Sequence, residues 1–345
     1  MFEIDGSLKS GSGTILRLSV ALAAIVNQPL HIFNIRQKRP QPGLRPQHLE
    51  AVLTAAKLCN AEVKGATLGS RELWFTPNEI KGGEIKAEIG TAGSIPMLLL
   101  TVLPLCAFAK APVRLHVTKG GTDVRNAPTI NYLKHVLLDV LTRMGLDASL
   151  TVVKYGYYPK GMGEITLEVQ PCPKLKPIRI KEFGKIEEVC GVSVCTFLAD
   201  RKVAERQAKA ANELLKARGY KTTIQVVNDM SNPLQKGSSL VIWTKTDKGA
   251  VLGADAIGEL GKPSEAVGRE AAENFLKEVE SKATVDVHLA DVLVPYVALA
   301  EGESVYLSRV MTDHLDANIW LAQKILGVEF SVTKVGNLYR IEKRG

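Results

Sequence analysis

Apolar residues follow two rhythms along this chain. Residues 14–26 (TILRLSVALAAIV) hold small and apolar side chains at helical spacing, with Arg17 the only charge, and read as a buried helix. LHIFNIRQ, rich in β-branched and aromatic residues, reads as a strand. A Pro/Gly/Arg loop (RPQPGLRPQ) leads to a second helix, HLEAVLTAAKLCNA, and then to two short strands around a turn. The same order returns downstream. Strand EIKAEIG, glycine turn GTAGS and apolar helix IPMLLLTVLPLCAFA precede strand VRLHVTKGGTD, helix TINYLKHVLLDVLTRMG and strands SLTVVKYGYY and EITLEVQP. A repeated strand–helix–strand–helix–strand–strand unit predicts an internally repeated α/β (α+β) architecture.

The pattern changes near residue 180. PCPKLKPIRIKEFGK is a Pro/Lys-rich connection. Beyond it lie a strand, a charged amphipathic helix stopping at Gly219, three more strands and a second amphipathic helix, SEAVGREAAENFLKEVES. This unit reads as a smaller inserted α/β domain over 184–277. The apolar style resumes with VHLADVLVPYVALA, strand SVYLSRV, helix HLDANIWLAQKIL and two final strands. The catalytic domain of repeated modules is therefore expected over 1–183 and 278–345.

Composition narrows the class. The 345 residues are 46% hydrophobic and 23% charged, as in globular chains. No apolar run has membrane-spanning length and the N-terminus lacks a signal-peptide layout, so a cytoplasmic protein with no membrane partner is expected. The five cysteines are odd in number and contain no CxxC pair, which favours free thiols over disulfides or zinc. The net charge of +8 permits nucleic-acid binding without showing it.

Four loops and one helix start concentrate unusual residues. DGSLKSGSG is a glycine-serine turn before Arg17; it suits anions at a helix start or is a plain tight turn, and it lacks the P-loop ending. NIRQKRPQPGLRPQHL places Arg36, Lys38, Arg39 and Arg45 on a proline-stiffened loop before Gln47 and His48. Arginine forks bind phosphates, although a solvated basic loop has the same composition. KGGTDVRNAPTINY is a site loop or a strand-to-helix connector. GYYPKGMGE offers tyrosines that could stack on bases or simply form a hairpin turn. In TDHLDANIWLA, Thr312 or Asp313 caps a helix, His314 falls in its first turn, and Asn318 shares its face. A helix start favours the neutral, nucleophilic imidazole; a lone exposed histidine is the plainer alternative.

In order, IDGS…G-x-G-x-ILR, NIRxxRPxPGLRPQHL, GSRELxFxP, GTAGS, GGTD…AP, GYYPKGxGE and HLxxN resemble the RNA 3′-terminal phosphate cyclase family over nearly the whole chain. The resemblance implies repeated βαβαββ modules, related to EPSP synthase, with a smaller α/β insert. It implies ATP as co-substrate, an RNA 3′-phosphate end as partner, and a 2′,3′-cyclic phosphate as product through a covalent histidine-AMP and an RNA-adenylate. His314 aligns with the adenylylated histidine, with Asn318 beside it. Arg17, Arg36, Arg39 and Gln47 match the phosphate and RNA-end site. Pro128 and the segment His288, Leu289, Ala290, Asp291 and Val292 match the nucleotide site. No metal ligand is assigned; a divalent cation, Mg or Mn, is expected to ride largely on the ATP phosphates. A homo-oligomer is left open.

The chain departs from the family pattern where that pattern reads GEGGGQ: Ser10 replaces a carboxylate associated with the metal, and Thr14 replaces a glutamine. Leu100 and Val292 stand for two further glutamines, His288 for an adenine-stacking residue, Met162 for a glycine, and Ala317 for the threonine of HxxTN. These changes keep open an alternative reading, a catalytically impaired cyclase-like protein that binds RNA in RNA processing or ribosome biogenesis. An EPSP-synthase-like transferase is disfavoured because that family's motifs are absent.

Overall fold

The computed structural model describes residues 1–345. The first module is β1 (Phe2–Asp5), α1 (Gly13–Ile25), β2 (Leu30–Phe33), α2 (Pro46–Cys59), β3 (Glu62–Lys64) and β4 (Leu73–Thr76), with sheet order β1-β2-β4-β3. The second is β5 (Gly83–Glu88), α3 (Ile95–Ala107), β6 (Val113–Gly120), α4 (residues 130–143, with a π-helical stretch Leu133–Leu137), β7 (Ala148–Lys154) and β8 (Gly163–Val169). Its order, β5-β6-β8-β7, repeats the first sheet. In both, the first two strands are parallel and the rest antiparallel. The repeat is thus one of topology, as the recurring pattern predicts.

A different unit follows: β9 (Ile186–Thr196), α5 (Val203–Ala217), β10 (Thr222–Asp229), β11 (Gly237–Thr246), β12 (Val251–Ile257) and α6 (Ser264–Ser281), with order β10-β9-β11-β12. The helix α6 continues four residues past the expected edge at 277. The chain then forms α7 (Val287–Leu299), β13 (Ser304–Ser308), α8 (Asp313–Leu326), β14 (Phe330–Val335) and β15 (Leu338–Lys343). These make a third copy of the module. Its first strand is the short segment 178–180: Ile180 N donates to Val305 O (2.9 Å) and Val305 N to Ile178 O (2.8 Å). The β9–α6 unit therefore falls between the first strand and first helix of the third module.

Local chemistry explains the helix starts. Ser12, Ser94 and Thr129 accept hydrogen bonds from Thr14 N, Met97 N and Tyr132 N, and Thr312 from Leu315 N. Helices α1, α3 and α7 are apolar nearly all round because they sit inside one shared core of 74 buried residues. By contrast, α5 and α6 are amphipathic. They cover one face of their sheet over a second core of 14 residues, including Phe275 and Leu252. The other face docks on α4, where His135 stacks on Trp243 at 4.4 Å and a Cβ at Gly253 would meet Val136 and Tyr132.

Buried Asp286 joins these parts. Its Oδ1 accepts from His288 N (3.0 Å), Leu289 N (2.9 Å) and Tyr132 OH (2.7 Å), and its Oδ2 accepts from Gly253 N (2.8 Å). Asp286→Ala strands all four donors, and we expect a loss of at least about 3 kcal/mol, against about 1 kcal/mol for Tyr132→Phe. Urea unfolding of both variants checks this; equal midpoints would refute the hub role.

Candidate active site

A cleft of about 810 Å³ opens where the helix starts of all three modules meet the end of β12. One end is basic. Arg17 comes from α1, Arg36 and Arg39 from the proline-stiffened loop, and Gln47 and His48 from the first turn of α2. None of Arg17, Arg36, Arg39 and Arg45 has a carboxylate partner: Arg17 Nη2 reaches only Thr14 Oγ1 (3.4 Å), and Arg36 Nη1 donates to Gln41 O (2.8 Å) and Gly43 O (2.7 Å). Burial, then repulsion from Arg36 and Arg39, pushes the Arg17 guanidinium down to about 10. Like charges gathered without acids form a ready anion site, because a bound phosphate removes their mutual repulsion.

His48 sits under this cluster and is buried. Desolvation, then Arg17, Arg36, Arg45 and Arg39, push its imidazole down to about 2, so it is neutral. Gly13 makes room for it, since a Cβ there would lie 2.3 Å from His48 Nε2.

The facing wall comes from α7 and α8. Thr312 caps α8 and donates its hydroxyl to Asp291 Oδ1 (2.5 Å), while Asn318 Nδ2 donates to Asp291 O (2.7 Å). These bonds fix α8 against α7 and set His314, in the first turn of α8, into the cleft. His314 Nδ1 is buried without a partner, which leaves Nε2 as the nitrogen open to the cleft. Burial, then Arg17 and Arg39, hold the His314 imidazole below its ordinary range, against the opposing effect of Asp313. Asp291 moves the other way: burial raises it to about 7, despite the Thr312 hydrogen bond.

Of the expected site residues, His314, Asn318, Arg17, Arg36, Arg39, Gln47, Pro128, His288, Asp291 and Val292 all line this one cleft. Gln47 is also a strut, because its Oε1 accepts from Ser94 N (2.7 Å) at the start of α3. Leu289 and Ala290 do not reach the cleft. Both are fully buried in the core, since helical spacing turns residues 288, 291, 292 and 295 to the cleft and the two between inward.

Of the other singled-out loops, KGGTDVRNAPTINY lines the cleft through residues 124–128, whereas GYYPKGMGE is mainly structural. In KGGTDVRNAP, Asp123 is buried, raised to about 7 by burial, and accepts from Thr122 OH (2.7 Å) and Ile130 N (3.2 Å); Arg125 pairs with Glu259 of the β12–α6 loop. In GYYPKGMGE, Tyr157 is buried against Gly237 and cannot stack on a base, whereas Tyr158 is exposed. Asn232 braces this loop through Tyr155 O (2.7 Å) and Gly161 O (3.1 Å).

Sequence reasoning noted His48 only as a neighbour of Gln47 at a helix entry and passed over Tyr132, Asp255, Glu259 and Lys262, which also line the cleft. His48 stood inside the RPQHL run. The last three come from the inserted unit, where nothing local marks them. No three His, Cys, Asp or Glu side chains stand together as a metal cage, and Ser10 Oγ lies 3.0 Å from Ser12 Oγ. The side chains thus offer no preformed all-protein cage, and a cation carried on a phosphate ligand would depend on that ligand for most of its oxygens.

This is the architecture of an anion-handling α/β protein, three βαβαββ modules with one insert and a shared cleft. A sequence model described as RNA 3′-terminal phosphate cyclase matches residues 8–332, and the chain belongs to that family. It is similar to proteins of that name from Pyrobaculum aerophilum (44% identity, covering 99% of this chain and 98% of the relative) and Pyrococcus furiosus (45%, covering 96% and 95%). A relative of the same name from Methanopyrus kandleri is 40% identical, covering 100% and 99%. No helix is long and apolar enough to cross a membrane.

Two outcomes follow from the site. Unfolded His48 takes up a proton below about pH 6.5 and folded His48 does not, so its contribution to stability is full above that pH and falls as pH drops, by about 1.4 kcal/mol per unit at most. Urea titrations at pH 7, 6 and 5 should show a shallower acid loss in His48→Gln; parallel losses would refute a buried neutral imidazole. Gly13→Val should lower the urea midpoint, because its side chain displaces the His48 ring and the Arg17 guanidinium, and an unchanged midpoint would refute the close approach.

Proposed function

We propose that this chain converts an RNA 3′-terminal phosphate to a 2′,3′-cyclic phosphate at the expense of ATP, through His314. The observation that carries the reading is one cleft holding a neutral imidazole at a helix start opposite three arginines without acids. Relatives named RNA 3′-terminal phosphate cyclase support the overall reaction.

Arg17, Arg36 and Arg39 hold the triphosphate and offset charge on the leaving pyrophosphate. His314 Nε2 attacks the α-phosphorus, the bond to the β-phosphate oxygen breaks and pyrophosphate departs, while Nδ1 keeps its proton, so the adenylylated imidazole is cationic. An RNA 3′-phosphate oxygen then attacks the same phosphorus, the Nε2–phosphorus bond breaks, and the imidazole leaves in its neutral, Nδ1-protonated form. The neighbouring 2′-hydroxyl closes on the RNA phosphorus, loses its proton, and expels AMP. Asn318 positions His314 by tying α8 to Asp291. Pro128, His288 and Val292 form the nucleotide's surroundings; Leu289 and Ala290 support them from the core. A divalent cation, Mg or Mn, would arrive on the ATP phosphates, and no step is assigned to it. We read the β9–α6 unit, over about 184–277, as an inserted domain whose β12 end closes the cleft. The five unpaired cysteines accord with a cytoplasmic location.

With ATP labelled at the α-phosphate, acid-labile label should appear on the wild type and fall more than ~10³-fold in His314→Ala. Label retained in the variant sinks the nucleophile assignment. Absence of label on folded wild type favours a non-catalytic RNA-binding relative. The acid limb of the adenylylation rate should lie below pH 6.5, since His314 is depressed. Arg17→Met removes a depressing charge and should move that limb to higher pH; a fixed limb would show that Arg17 does not act on His314.

A further inference from the structure

A second groove, about 410 Å³, runs along the outside of α8. Its walls are Lys9, Asp316, Ile319, Trp320, Gln323 and Lys324. The α8 residues form one stripe, turned away from His314 and Asn318. The two sites share their supports. Lys9 belongs to the loop that continues into Ser12 and Thr14 of the cleft, and Asp316 is two residues from His314. Lys38, from the arginine loop, lies with its stem against Gly11 and donates to Lys9 O (2.8 Å). Lys38 thus ties the arginine loop of the cleft to Lys9 of the groove.

Its chemistry suits a polyanion with flat rings. Lys9 and Lys324 line the groove against one carboxylate, Asp316, which pairs with Lys9 at 3.0 Å, and Lys38 stands beside Lys9. Lys324 Nζ donates to Glu3 O (2.9 Å) and lies 5.5 Å above the half-buried Trp320 ring. Each ammonium keeps N–H groups free for phosphate oxygens. Trp320 with Ile319 offers an apolar floor for a base. The opposite end of the cleft carries Asp255, Glu259 and Glu270 around Lys262. There Glu259 pairs with Arg125 and Glu270 with Lys262, so that end offers no free cation, whereas a strand leaving over Lys38 and Lys9 meets ammonium groups with N–H groups to spare. From Asp316 to Lys324 the helix rises about 12 Å. That length matches about three stacked nucleotides at ~3.4 Å each.

We propose that this groove is the subsite for the two or three nucleotides immediately 5′ of the terminal phosphate, with the lysines on the backbone and Trp320 beneath a base. This inference rests on the RNA-end reading of the cleft. It makes the outer face of the helix that carries His314 a determinant of RNA affinity.

The test measures RNA binding apart from chemistry. Unlabelled 3′-phosphorylated RNAs of one to eight nucleotides compete with a fluorescent octamer for the full-length protein, read by anisotropy. Wild-type affinity should rise to about four nucleotides, then flatten. The exposed pair Gln323→Glu/Lys324→Glu should weaken octamer binding at least tenfold and leave the mononucleotide and ATP-dependent self-labelling unchanged. Trp320→Leu should reduce the length gain without changing the salt dependence, whose slope falls by about 0.7 for each lost phosphate contact in the charge variant. Variants that bind the octamer as tightly as wild type, or a wild type indifferent to length, overturn the groove. Loss of self-labelling with length-dependent binding intact would overturn the catalytic reading and leave the groove standing.

Discussion

The carboxylate of Asp286 is the constraint on which the assembly turns. A buried acid is costly unless its lone pairs are filled, and here four donors from three parts of the chain fill them. One oxygen caps α7 and holds Tyr132 of α4; the other holds Gly253 of β12. Helix start, second module and insert therefore meet at one point. Burial still raises this carboxyl above the usual carboxylate range. Two residues on, His288 enters the cleft, so the floor of the cleft inherits its position from this junction.

The cleft itself is built against stability. Arg17, Arg36, Arg39 and Arg45 crowd together without acids, and two imidazoles beside them are pushed toward the neutral form by burial and then by that field. A fold selected only for stability would pair such charges. An anionic ligand supplies the missing partner, so binding energy and relief of repulsion act together. Burial first, and the arginine field second, hold His314 below its ordinary range, so in the proposed reaction the side chains that would bind phosphate also favour the nucleophilic imidazole.

Helix geometry then distributes tasks around α8. One face carries His314 and Asn318 into the cleft. The opposite face carries Trp320, Gln323 and Lys324 to solvent, and the remaining positions pack into the core. The outer position of this helix follows from the module's topology, in which α8 is the second crossover and packs on α1 and α7.

Much of this was legible in the chain. Helical and alternating rhythms marked the modules, serine and threonine caps marked the helix starts, and the RPQPGLRPQHL run and His314 marked the site. Those signals are local, because periodicity, capping and turn chemistry act over a few residues. Other features needed the folded chain. Leu289 and Ala290 read as site residues until helical phase turned them into the core, and Tyr157 stood between base stacking and a plain hairpin turn until Gly237 packed on it. Asp255, Glu259 and Lys262 are more than a hundred residues from most of their cleft neighbours and carry no local mark. The neutrality of His48 and His314 depends on arginines brought close from other elements. Sequence determined which segments fold and where helices begin; tertiary structure alone decided which side chains share a field, because Coulombic and desolvation effects depend on distance in space and not along the chain.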